Sequence, residues 1–522
     1  MVFVINAVRI THTVLNTLYT ILTTNMYTPT LKEFLKLSQR YNVIPVYKEI
    51  GADLDTPVSS FLKIKKNEYA FLLESVEGQE KIARYSFLGS NPSVVIKTRG
   101  RAVEVLYERR THLRRFITQE DPLTELKKLM EPFKAARVKG LPRFYGGFVG
   151  YMGYDFVQFL EDIPSRNKDE LNVPDSIFML TESILVFDHV NHTIKIIYNV
   201  MLPEGRQRLS RSQKVHYYQA ALQAIERIHA DFKNSLVGTI REEKKRCAKK
   251  IKPVANITRA QFCRSVQKAR SYIRKGDVIQ VVLSQRFKVA LSKKPFDVYR
   301  DLRSLNPSPY MFFLRFKELT LIGSSPEMLV RFENKIVETR PIAGTRPRGR
   351  DAAMDEKLML QLLADKKEKA EHIMLVDLGR NDVGRVCKPG KVKVNEFMEI
   401  EKYSHVMHLV SDITGVVDSK YNAFDCLKAC FPAGTVTGSP KVRAMQIIEE
   451  LETTRRGPYA GCVGYFSFSR AMDTCITIRT IVAKGAHAYV QAGAGIVLDS
   501  VPAREYNESV NKAKALMEAI AR

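Results

Sequence analysis

Residues 146–154 place four glycines among bulky side chains, three of which are aromatic. This alternation of small and large residues is typical of a β-strand whose glycines let a second backbone approach closely. Other strand patterns surround it, separated by turn residues, and they cover residues 69–73, 94–97, 103–107, 184–187 and 194–200. Apart from a helical pattern over residues 30–41, the chain up to about residue 200 is therefore predicted to be mostly β-structure.

A basic run divides the rest of the sequence. Residues 213–232 have a helical pattern, and residues 241–252 then carry seven basic and two acidic side chains before Pro253. A like-charge run that ends in proline resists packing and is typical of a linker. Thr258 is predicted to begin the next helix, after which strand and helix patterns alternate. We therefore predict an N-terminal extension over residues 1–25, an N-terminal domain over 26–240, a linker over 241–254 and a C-terminal domain over 255–522.

Composition leaves two broad classes open. The 522-residue chain has a formal net charge of +26, and a basic surface attracts polyanions, so a nucleic-acid-binding protein is one interpretation. The basic run lacks interleaved aromatic residues that could stack on bases, which favours a linker over a nucleic-acid site. Seven cysteines without C-x-x-C spacing argue against a disulfide framework and a zinc site. They are typical of a reducing compartment, so we expect a cytoplasmic protein, which the second class, an enzyme, also fits.

The first 25 residues contain one basic residue, Arg9, and no acidic residue. Polar residues interrupt the segment too often for a membrane span, and it lacks the apolar core and cleavage site of a secretory signal. Two interpretations remain. The start codon is assigned too early and Met26 is the true start, or the segment is a weak organellar targeting sequence, which we do not favour. No other window has 18 uninterrupted apolar residues, so we expect a soluble protein with no membrane partner.

Two pairs of glutamates at helical spacing lie far apart in the sequence. Glu368 and Glu371 fall on a helix predicted over about residues 354–375, and Glu505 and Glu508 fall on a final helix that begins near Pro502. The i, i+3 spacing places both carboxylates of each pair on one helix face. Side by side, the two helices would offer hard oxygen ligands of the kind that Mg²⁺ prefers. The alternative is two solvated helix faces, because basic residues neighbour both pairs.

Glycine-rich turns beside predicted strands add a second possible binding surface. They cover residues 341–346, 431–441 and 491–496, and such turns can present consecutive amide groups to a carboxylate or phosphate. The spacing of the second turn differs from that of a P-loop. Arg479, on a strand predicted over residues 477–480, and Lys512, one helical turn after Glu508, add positive charge. Together these features predict a pocket for a small polyanion, and a dicarboxylate fits better than a nucleotide.

Four long motifs carry a family resemblance that covers residues 26–522. The segments over residues 341–349, 370–385, 431–445 and 491–497 resemble the chorismate-utilising enzymes, and among these the sequence is most similar to the large subunits of anthranilate synthases. The resemblance implies an α+β fold with large, mostly antiparallel β-sheets packed as a sandwich and helices outside. It also implies a reaction in which chorismate and ammonia form 2-amino-4-deoxyisochorismate, which then loses pyruvate to give anthranilate.

The resemblance also implies roles for individual residues. Glu371 and Glu508 would bind the cofactor Mg²⁺, with Glu368 and Glu505 as close neighbours. Chorismate would be bound by Gly344, Thr345, Thr435, Tyr459, Arg479, Gly493, Ala494, Gly495 and Lys512. A general acid is required because hydroxide is a poor leaving group, and Glu327 matches the family's acid. His408 matches a histidine tied to pyruvate elimination, whereas His405 stays unassigned.

Two positions separate this reaction from related ones. Gln280 stands where relatives that add water carry a lysine base, and a neutral amide suits ammonia, which is already a nucleophile. Ala343 stands where aminodeoxychorismate synthases, the nearest alternative, typically carry a nucleophilic lysine. We therefore predict amination at the ortho position.

The implied partners are a glutamine amidotransferase subunit and an inhibitor. The segment around Cys462 has neither the spacing of a glutaminase nucleophile turn nor a downstream His-x-Glu motif. A separate amidotransferase subunit is therefore expected to supply ammonia, and free ammonia is the alternative source. Feedback inhibition by L-tryptophan is also implied, with Ser75, Pro309, Tyr310 and Met311 at the inhibitor site.

Overall fold

The structure is a computed structural model that describes residues 26–53, 55–64, 68–76, 84–107, 112–203, 205–234, 252–403 and 406–522. The predicted extension over residues 1–25, most of the predicted linker (residues 241–251) and His405 lie outside the described residues. Within the described ranges, no helix combines the length and the apolar character that crossing a membrane requires.

The strands are numbered in chain order. They are β1 Tyr27–Thr28, β2 Val43–Gly51, β3 Tyr69–Glu74, β4 Tyr85–Ser90, β5 Val94–Arg99, β6 Ala102–Tyr107, β7 His112–Ile117, β8 Gly147–Met152, β9 Ser176–Thr181, β10 Ser183–Asp188, β11 Thr193–Met201, β12 Val254–Ala255, β13 Gln280–Ala290, β14 Tyr310–Phe316, β15 Leu319–Ser325, β16 Met328–Glu333, β17 Ile336–Thr339, β18 Ile342–Pro347, β19 Cys387–Lys402, β20 Val406–Val417, β21 Gly438–Ser439, β22 Cys462–Ser467, β23 Met472–Ile476, β24 Thr480–Lys484 and β25 His487–Ile496. These bounds contain the strands predicted over residues 69–73, 94–97, 103–107, 184–187 and 194–200.

The α-helices are numbered in the same way. They are α1 Leu31–Leu37, α2 Pro57–Ile64, α3 Pro122–Met130, α4 Arg211–Asn234, α5 Arg259–Arg274, α6 Pro295–Leu305, α7 Ala352–Ala364, α8 Lys366–Gly384, α9 Ala423–Cys430, α10 Lys441–Leu451 and α11 Pro502–Ala521. Short 3₁₀ helices cover Tyr154–Phe159, Arg206–Arg208 and Gly434–Val436.

Two antiparallel sheets form the centre of the fold. The first has the order β1-β2-β11-β10-β4-β3-β14-β15-β24-β25-β13-β12, with β21 beside β13, and the second has the order β18-β20-β17-β16-β23-β22-β8-β9-β5-β6-β7, with β19 beside β20. One buried core cluster contains side chains of both sheets, such as Phe71 and Phe148. The predicted α+β fold with large antiparallel sheets and outer helices is confirmed.

Both sheets combine strands from the two sides of the predicted linker. Leu72 of β3 pairs with Phe313 of β14 in the first sheet. Gly150 of β8 pairs with Gly464 of β22 in the second sheet. The division into two domains thus describes the order of the sequence, whereas the strands of the two segments interleave in space.

The glycine-rich segment over residues 146–154 contains the central strand β8. A Cβ atom on Gly150 would lie 1.9 Å from the carbonyl oxygen of Ile177 in the neighbouring strand β9, a distance that no real side chain tolerates. The predicted strand with a closely approaching second backbone is therefore confirmed.

Helix ends follow local capping signals. The Thr258 hydroxyl accepts from the amide of Gln261, and the Gln261 side chain accepts from the amide of Thr258, so a capping box begins α5 as predicted. The single helix predicted over about residues 354–375 is wrong, because two helices meet at Asp365. The Asp365 carboxylate accepts from the amides of Lys367 and Glu368 and begins α8.

The strand predicted over residues 477–480 is also wrong in its first part. Arg479 has a left-handed backbone conformation with φ +49°, and it lies in a bend between β23 and β24. Period-two alternation cannot reveal such a bend, because its conformation depends on where the two flanking strands pair.

Candidate active site

The carboxylate pairs, the glycine turn of β25 and Gln280 of β13 meet where α8 and α11 reach the first sheet. The Gln280 amide Nε2 donates to Glu371 Oε1 at 3.2 Å. Lys512 Nζ donates to the carbonyl oxygen of Gly493 at 3.1 Å and forms an ion pair with Glu508 at 2.7 Å. The i, i+4 relation predicted for Glu508 and Lys512 thus appears as a direct contact.

The two glutamate pairs share an electrostatic environment. Burial, together with the like charge of Glu368, raises the pKa of Glu371, and burial together with Glu508 raises the pKa of Glu505. Lys367 and Lys512 lower the pKa of both Glu371 and Glu505 and oppose part of the rise, so these two glutamates share two neighbouring cations. Across the part of the chain that the structure describes, no three His, Cys, Asp or Glu side chains are close enough to hold a metal ion. The carboxylates therefore form two pairs rather than one cluster.

Glu327 lies between β15 and β16 and is 7% exposed. Burial raises the pKa of this carboxyl to about 8, and the Thr435 hydroxyl, which donates to Glu327 Oε1 at 3.0 Å, opposes part of that rise. A carboxylic acid with this pKa holds its proton at pH 7 and can transfer it to a leaving group. Glu327 therefore has the protonation state that a general acid needs.

His408 of β20 faces the turn that contains Gly344 and Thr345. Its Nδ1 lies 3.0 Å from the carbonyl oxygen of Gly344, which can only accept, so Nδ1 carries the proton. Nδ1 also lies 3.0 Å from the Thr345 hydroxyl. Burial lowers the pKa of His408, so the ring is neutral and its Nε2 lone pair is available to a proton.

Tyr459 and two glycines of β25 approach one another closely. A Cβ atom on Gly493 would lie 3.0 Å from the Tyr459 hydroxyl, and a Cβ atom on Gly495 would lie 2.4 Å from Gln280 Nε2. The missing side chains at Gly493 and Gly495 thus let these two polar groups lie close to the backbone of β25. Ala494, the residue between them, packs its side chain into an apolar cluster behind the strand, so only its backbone can face the site.

Arg479 is largely buried beside α11. Its Nη1 donates to the carbonyl oxygen of Lys512 at 2.8 Å, and it makes no ion pair with any other described residue. Burial accordingly lowers the pKa of Arg479. A buried guanidinium without a carboxylate is electrostatically unfavourable, and a bound anion would compensate it.

Ala343 lies in β18 opposite Leu409, one register position from His408. The strand pairing shifts between Ala343 and Thr345, so Gly344 forms an irregular step with φ +63°. Because of this irregularity, Ala343, Gly344 and Thr345 lie beside His408 at one side of the candidate site.

Several ion pairs beside the site were not predicted from the sequence. Arg346 binds Asp365 at 2.8 Å and Glu368 at 3.3 Å, and Lys441 binds Asp382 at 2.6 Å. Arg346 and Lys441 both fall within the glycine-rich motifs, but neither has an acidic residue within four positions. Proximity along the sequence therefore gave no signal for these contacts.

The four residues predicted for an inhibitor site line one cavity of about 1160 Å³. Ser75 follows β3, and Pro309, Tyr310 and Met311 lie at the start of β14, which pairs with β3. The buried Ser75 hydroxyl has no hydrogen-bond partner in the described part of the chain. The Tyr310 hydroxyl donates to Asp473 Oδ1 at 3.1 Å, and Asp473 binds Arg331 at 2.9 Å.

The fold and the site define a class of protein. Residues 68–518 match the family described as chorismate binding enzyme, and the chain therefore belongs to that family.

Its curated relatives narrow the class. The chain is 49% identical over 498 residues to anthranilate synthase component 1 of Acetivibrio thermocellus, with 95% of this chain and 99% of the relative covered. It is 48% identical to the protein of the same name from Aquifex aeolicus, with 94% and 97% covered. The solved structure of anthranilate synthase component I from Streptococcus pneumoniae has a TM-score of 0.72 and 37% identity, with 90% of this chain and 99% of that chain covered. The isochorismate synthase MenF of Escherichia coli, at 19% identity and a TM-score of 0.64, shares the fold, with 94% and 98% covered.

Proposed function

We propose that the chain is the chorismate-converting subunit of an anthranilate synthase. The observation that carries the proposal is Glu327, a buried carboxylic acid that accepts a hydrogen bond from Thr435 and whose pKa of about 8 keeps it protonated at neutral pH. Identity of 49% and 48% to two anthranilate synthase component 1 proteins, over nearly the full length of the chain, supports the same assignment.

In the first half-reaction, ammonia attacks C2 of the chorismate ring, the double bonds shift, and the C4 hydroxyl leaves as water. Glu327 supplies the proton that makes the hydroxyl a good leaving group. Gln280 contributes a neutral amide, which neither protonates ammonia nor competes with it for the ring. The product is 2-amino-4-deoxyisochorismate.

In the second half-reaction, the ring proton on C2 is lost and the C3–O bond breaks. The departing enolpyruvate takes up a proton to become pyruvate, and the ring becomes aromatic. His408 is neutral with a free Nε2 lone pair, so it can accept the C2 proton.

Chorismate carries two carboxylates, and the pocket offers separate partners for them. Arg479 is a buried cation without an acidic partner among the described residues, and the Tyr459 hydroxyl lies beside Gly493. The amides of Gly493 and Gly495, with Lys512, complete one set of donors.

The residues of the two helices also fit a magnesium ion. Mg²⁺ usually binds one or two protein carboxylates and completes its shell with water and substrate, so two glutamate pairs suffice without a cluster of three. Burial and a neighbouring carboxylate raise the pKa values of Glu371 and Glu505, so their ionised forms are disfavoured in the ion-free protein, and a bound cation would stabilise them. Glu371 and Glu508 would hold the ion, with Glu368 and Glu505 beside them. When bound, the ion would neutralise the ring carboxylate and draw electron density toward it.

Replacing Glu371 by Ala is expected to lower the Mg²⁺-dependent rate by about 100-fold or more, because a ligand of the ion is lost. The rate is measured as a function of Mg²⁺ concentration, with Glu356→Ala, an exposed glutamate of α7, as the matched control. Wild-type Mg²⁺ dependence in Glu371→Ala would show that the metal residues are assigned wrongly.

The proposed function is tested directly with purified protein, chorismate, Mg²⁺ and ammonium ion. We expect fluorescent anthranilate to accumulate with one pyruvate per turnover. Formation of 4-amino-4-deoxychorismate would instead identify the aminodeoxychorismate alternative, against which Ala343 argues because it cannot form a covalent adduct. Absence of any amino product would contradict the proposal.

We further propose a separate amidotransferase subunit and a cytoplasmic location. The Cys462 thiol lies within β22, and burial raises its pKa to about 12, so it is not a thiolate nucleophile at neutral pH.

The six cysteines in the described ranges are unpaired, which suits a reducing compartment.

L-Tryptophan is proposed to bind in the cavity beside Ser75. The Ser75 hydroxyl is buried and has no partner within the described ranges, so a polar ligand atom would complete its hydrogen bonding. The neighbouring Glu74 carboxylate, held by Tyr299 and by Arg303 at 3.2 Å, and the apolar side chain of Met311 provide polar and apolar walls.

Replacing Ser75 by Ala is expected to raise the tryptophan concentration for half-inhibition by about 3- to 10-fold, the effect of one hydrogen bond, with the uninhibited rate unchanged. Inhibition curves measure the shift. Ser93→Ala removes another buried hydroxyl that lacks a partner among the residues described, but Ser93 lies outside this cavity, so the variant should leave the curve unchanged. Equal inhibition of wild type and Ser75→Ala would exclude this site.

A further inference from the structure

Arg456, in the segment after α10, is a fully enclosed cation with all its contacts inside the protein. Its side chain is 2% exposed. Nη1 donates to the carbonyl oxygen of Val436 at 2.7 Å, and Nη2 donates to that of Val282 at 2.9 Å. Nε and Nη2 bind the two oxygens of Glu452 at 3.0 and 2.7 Å. The planar guanidinium thus joins three chain segments at once.

Those segments carry residues of the proposed active site. Val436 belongs to the 3₁₀ turn Gly434–Val436, whose Thr435 donates to Glu327. Val282 lies two residues after Gln280 in β13. The Arg456 guanidinium therefore fixes the distance between the turn that holds the general acid and the strand that carries Gln280.

The partner carboxylate extends this connection to β25. Glu452 Oε1 also accepts from the backbone amide and the hydroxyl of Ser284, both at 2.8 Å. Ser284 pairs across the sheet with Gly493, whose backbone faces the site. Glu452 and Arg456 together therefore hold the strand behind the glycine turn.

The guanidinium also packs against aromatic rings. Its centre lies 4.7 Å from the ring centroid of Tyr154 and 5.5 Å from that of Tyr459. The Tyr459 hydroxyl reaches Gly493, so the position of this phenol follows the position of Arg456.

We propose that Arg456 is a positioning residue for the reaction, acting through Thr435, Gln280 and Tyr459 without touching the substrate. This inference rests on the proposed function. Glu452 neutralises the charge of Arg456, so the contribution of Arg456 is geometric. It differs from that of Arg479, which has no carboxylate partner among the described residues. Lysine cannot replace it, because a single ammonium group cannot bind Glu452 in two places and two carbonyl oxygens in other directions.

The test compares three forms of the whole protein in the ammonia-dependent anthranilate assay. Arg456→Lys is expected to lower kcat about 100-fold, the usual cost of misplacing reacting groups by about 1 Å, and to raise KM for chorismate by less than about 10-fold, since Tyr459 contributes one hydrogen bond to substrate binding. The double variant Arg456→Met with Glu452→Gln leaves no unpaired buried charge, and its glutamine still accepts from Ser284, so it should fold and show the same loss of kcat. Lys48→Met, which removes a buried cation paired with Glu226 in the N-terminal sheet region, should keep the wild-type kcat.

A double-mutant cycle separates positioning from a general loss of stability. Tyr459→Phe is combined with Arg456→Lys, and the two losses in kcat are expected to be less than multiplicative, because both changes act on the same phenol. Wild-type kcat in the folded variant Arg456→Met with Glu452→Gln would overturn the inference. Fully multiplicative losses in the cycle of Arg456→Lys and Tyr459→Phe would also overturn it. Wild-type protein without anthranilate formation would contradict the proposed function instead, so the two failures are distinguishable.

Discussion

Replacing Glu327 by Gln is expected to lower the rate of anthranilate formation by about 1000-fold, within the range that general acids contribute. Glutamine has the same size and can still accept from Thr435, but it has no proton to give to the C4 hydroxyl. The loss should appear in kcat, with KM for chorismate nearly unchanged, because substrate binding does not need the proton. Steady-state anthranilate fluorescence measures both constants.

The pH dependence of the wild-type protein follows from the same group. Glu327 acts in its protonated form, so activity is present below its pKa of about 8 and is lost as the pH rises through that value. His408 acts in its neutral form. Because burial lowers its pKa, the acidic limb of the pH–rate profile should lie below the ordinary value of 6.5. A bell-shaped profile with its alkaline limb near pH 8 is expected, and Thr435→Val should move that limb upward, because it removes a hydrogen bond that lowers the pKa of Glu327.

Glu327→Gln also has an expected effect on stability. The raised carboxyl pKa means that the folded state opposes ionisation. The free energy of unfolding therefore decreases as the pH rises from the unfolded-state pKa near 4.5 to about pH 8. Glutamine cannot ionise, and the variant should melt at a higher temperature than wild type at pH 8. Glu449→Gln is the control, because Glu449 is a buried carboxylate on α10 that accepts from the amides of Arg166 and Asn167, and its replacement should not raise the melting temperature.

Wild-type kcat in Glu327→Gln would show that Glu327 is not the general acid.

Replacing Arg479 by Met is expected to weaken catalysis and strengthen the fold together. In the substrate-free protein the buried guanidinium has no carboxylate among the described residues, so its removal should raise the free energy of unfolding by about 1–3 kcal/mol. In the complex the same charge would pair with a substrate carboxylate. Its loss should lower kcat/KM by about 100-fold or more, mainly through KM.

Two measurements check this pair of effects: thermal unfolding without chorismate, and steady-state kinetics with it. Arg286→Met is the control, since Arg286 is a buried guanidinium that binds Glu170 at 3.0 Å, and its loss should lower stability. If Arg479→Met were both less stable than wild type and unchanged in KM, Arg479 would be a structural residue rather than a substrate ligand.

Local patterns predicted those parts of the molecule that depend on local physics. The strands over residues 69–73 and 184–187 alternate or are continuously apolar, and the i, i+3 spacing of Glu505 and Glu508 fixes a shared helix face. The capping box at Thr258 depends on three neighbouring residues, and it was found at the expected position.

The remaining features depend on contacts between distant segments. Arg456 binds the carbonyl oxygens of Val282 and Val436, and no pattern near Arg456 in the sequence indicates these two partners. Only its ion pair with Glu452, at i−4, is local. The break at Asp365 separates two helices of similar composition, so the helical pattern continued across it. Arg479 adopts its left-handed conformation because β23 and β24 belong to different sheets.

The interleaving of the two sheets has a consequence for how the chain is made. During synthesis, β3 and β8 leave the ribosome long before β14 and β22, the strands that pair with them. Until then, both strands carry unpaired backbone groups that can bind other chains. Loop closure over such separations is also slow. The N-terminal half of the nascent chain should therefore depend on chaperones until residues beyond 460 have been translated.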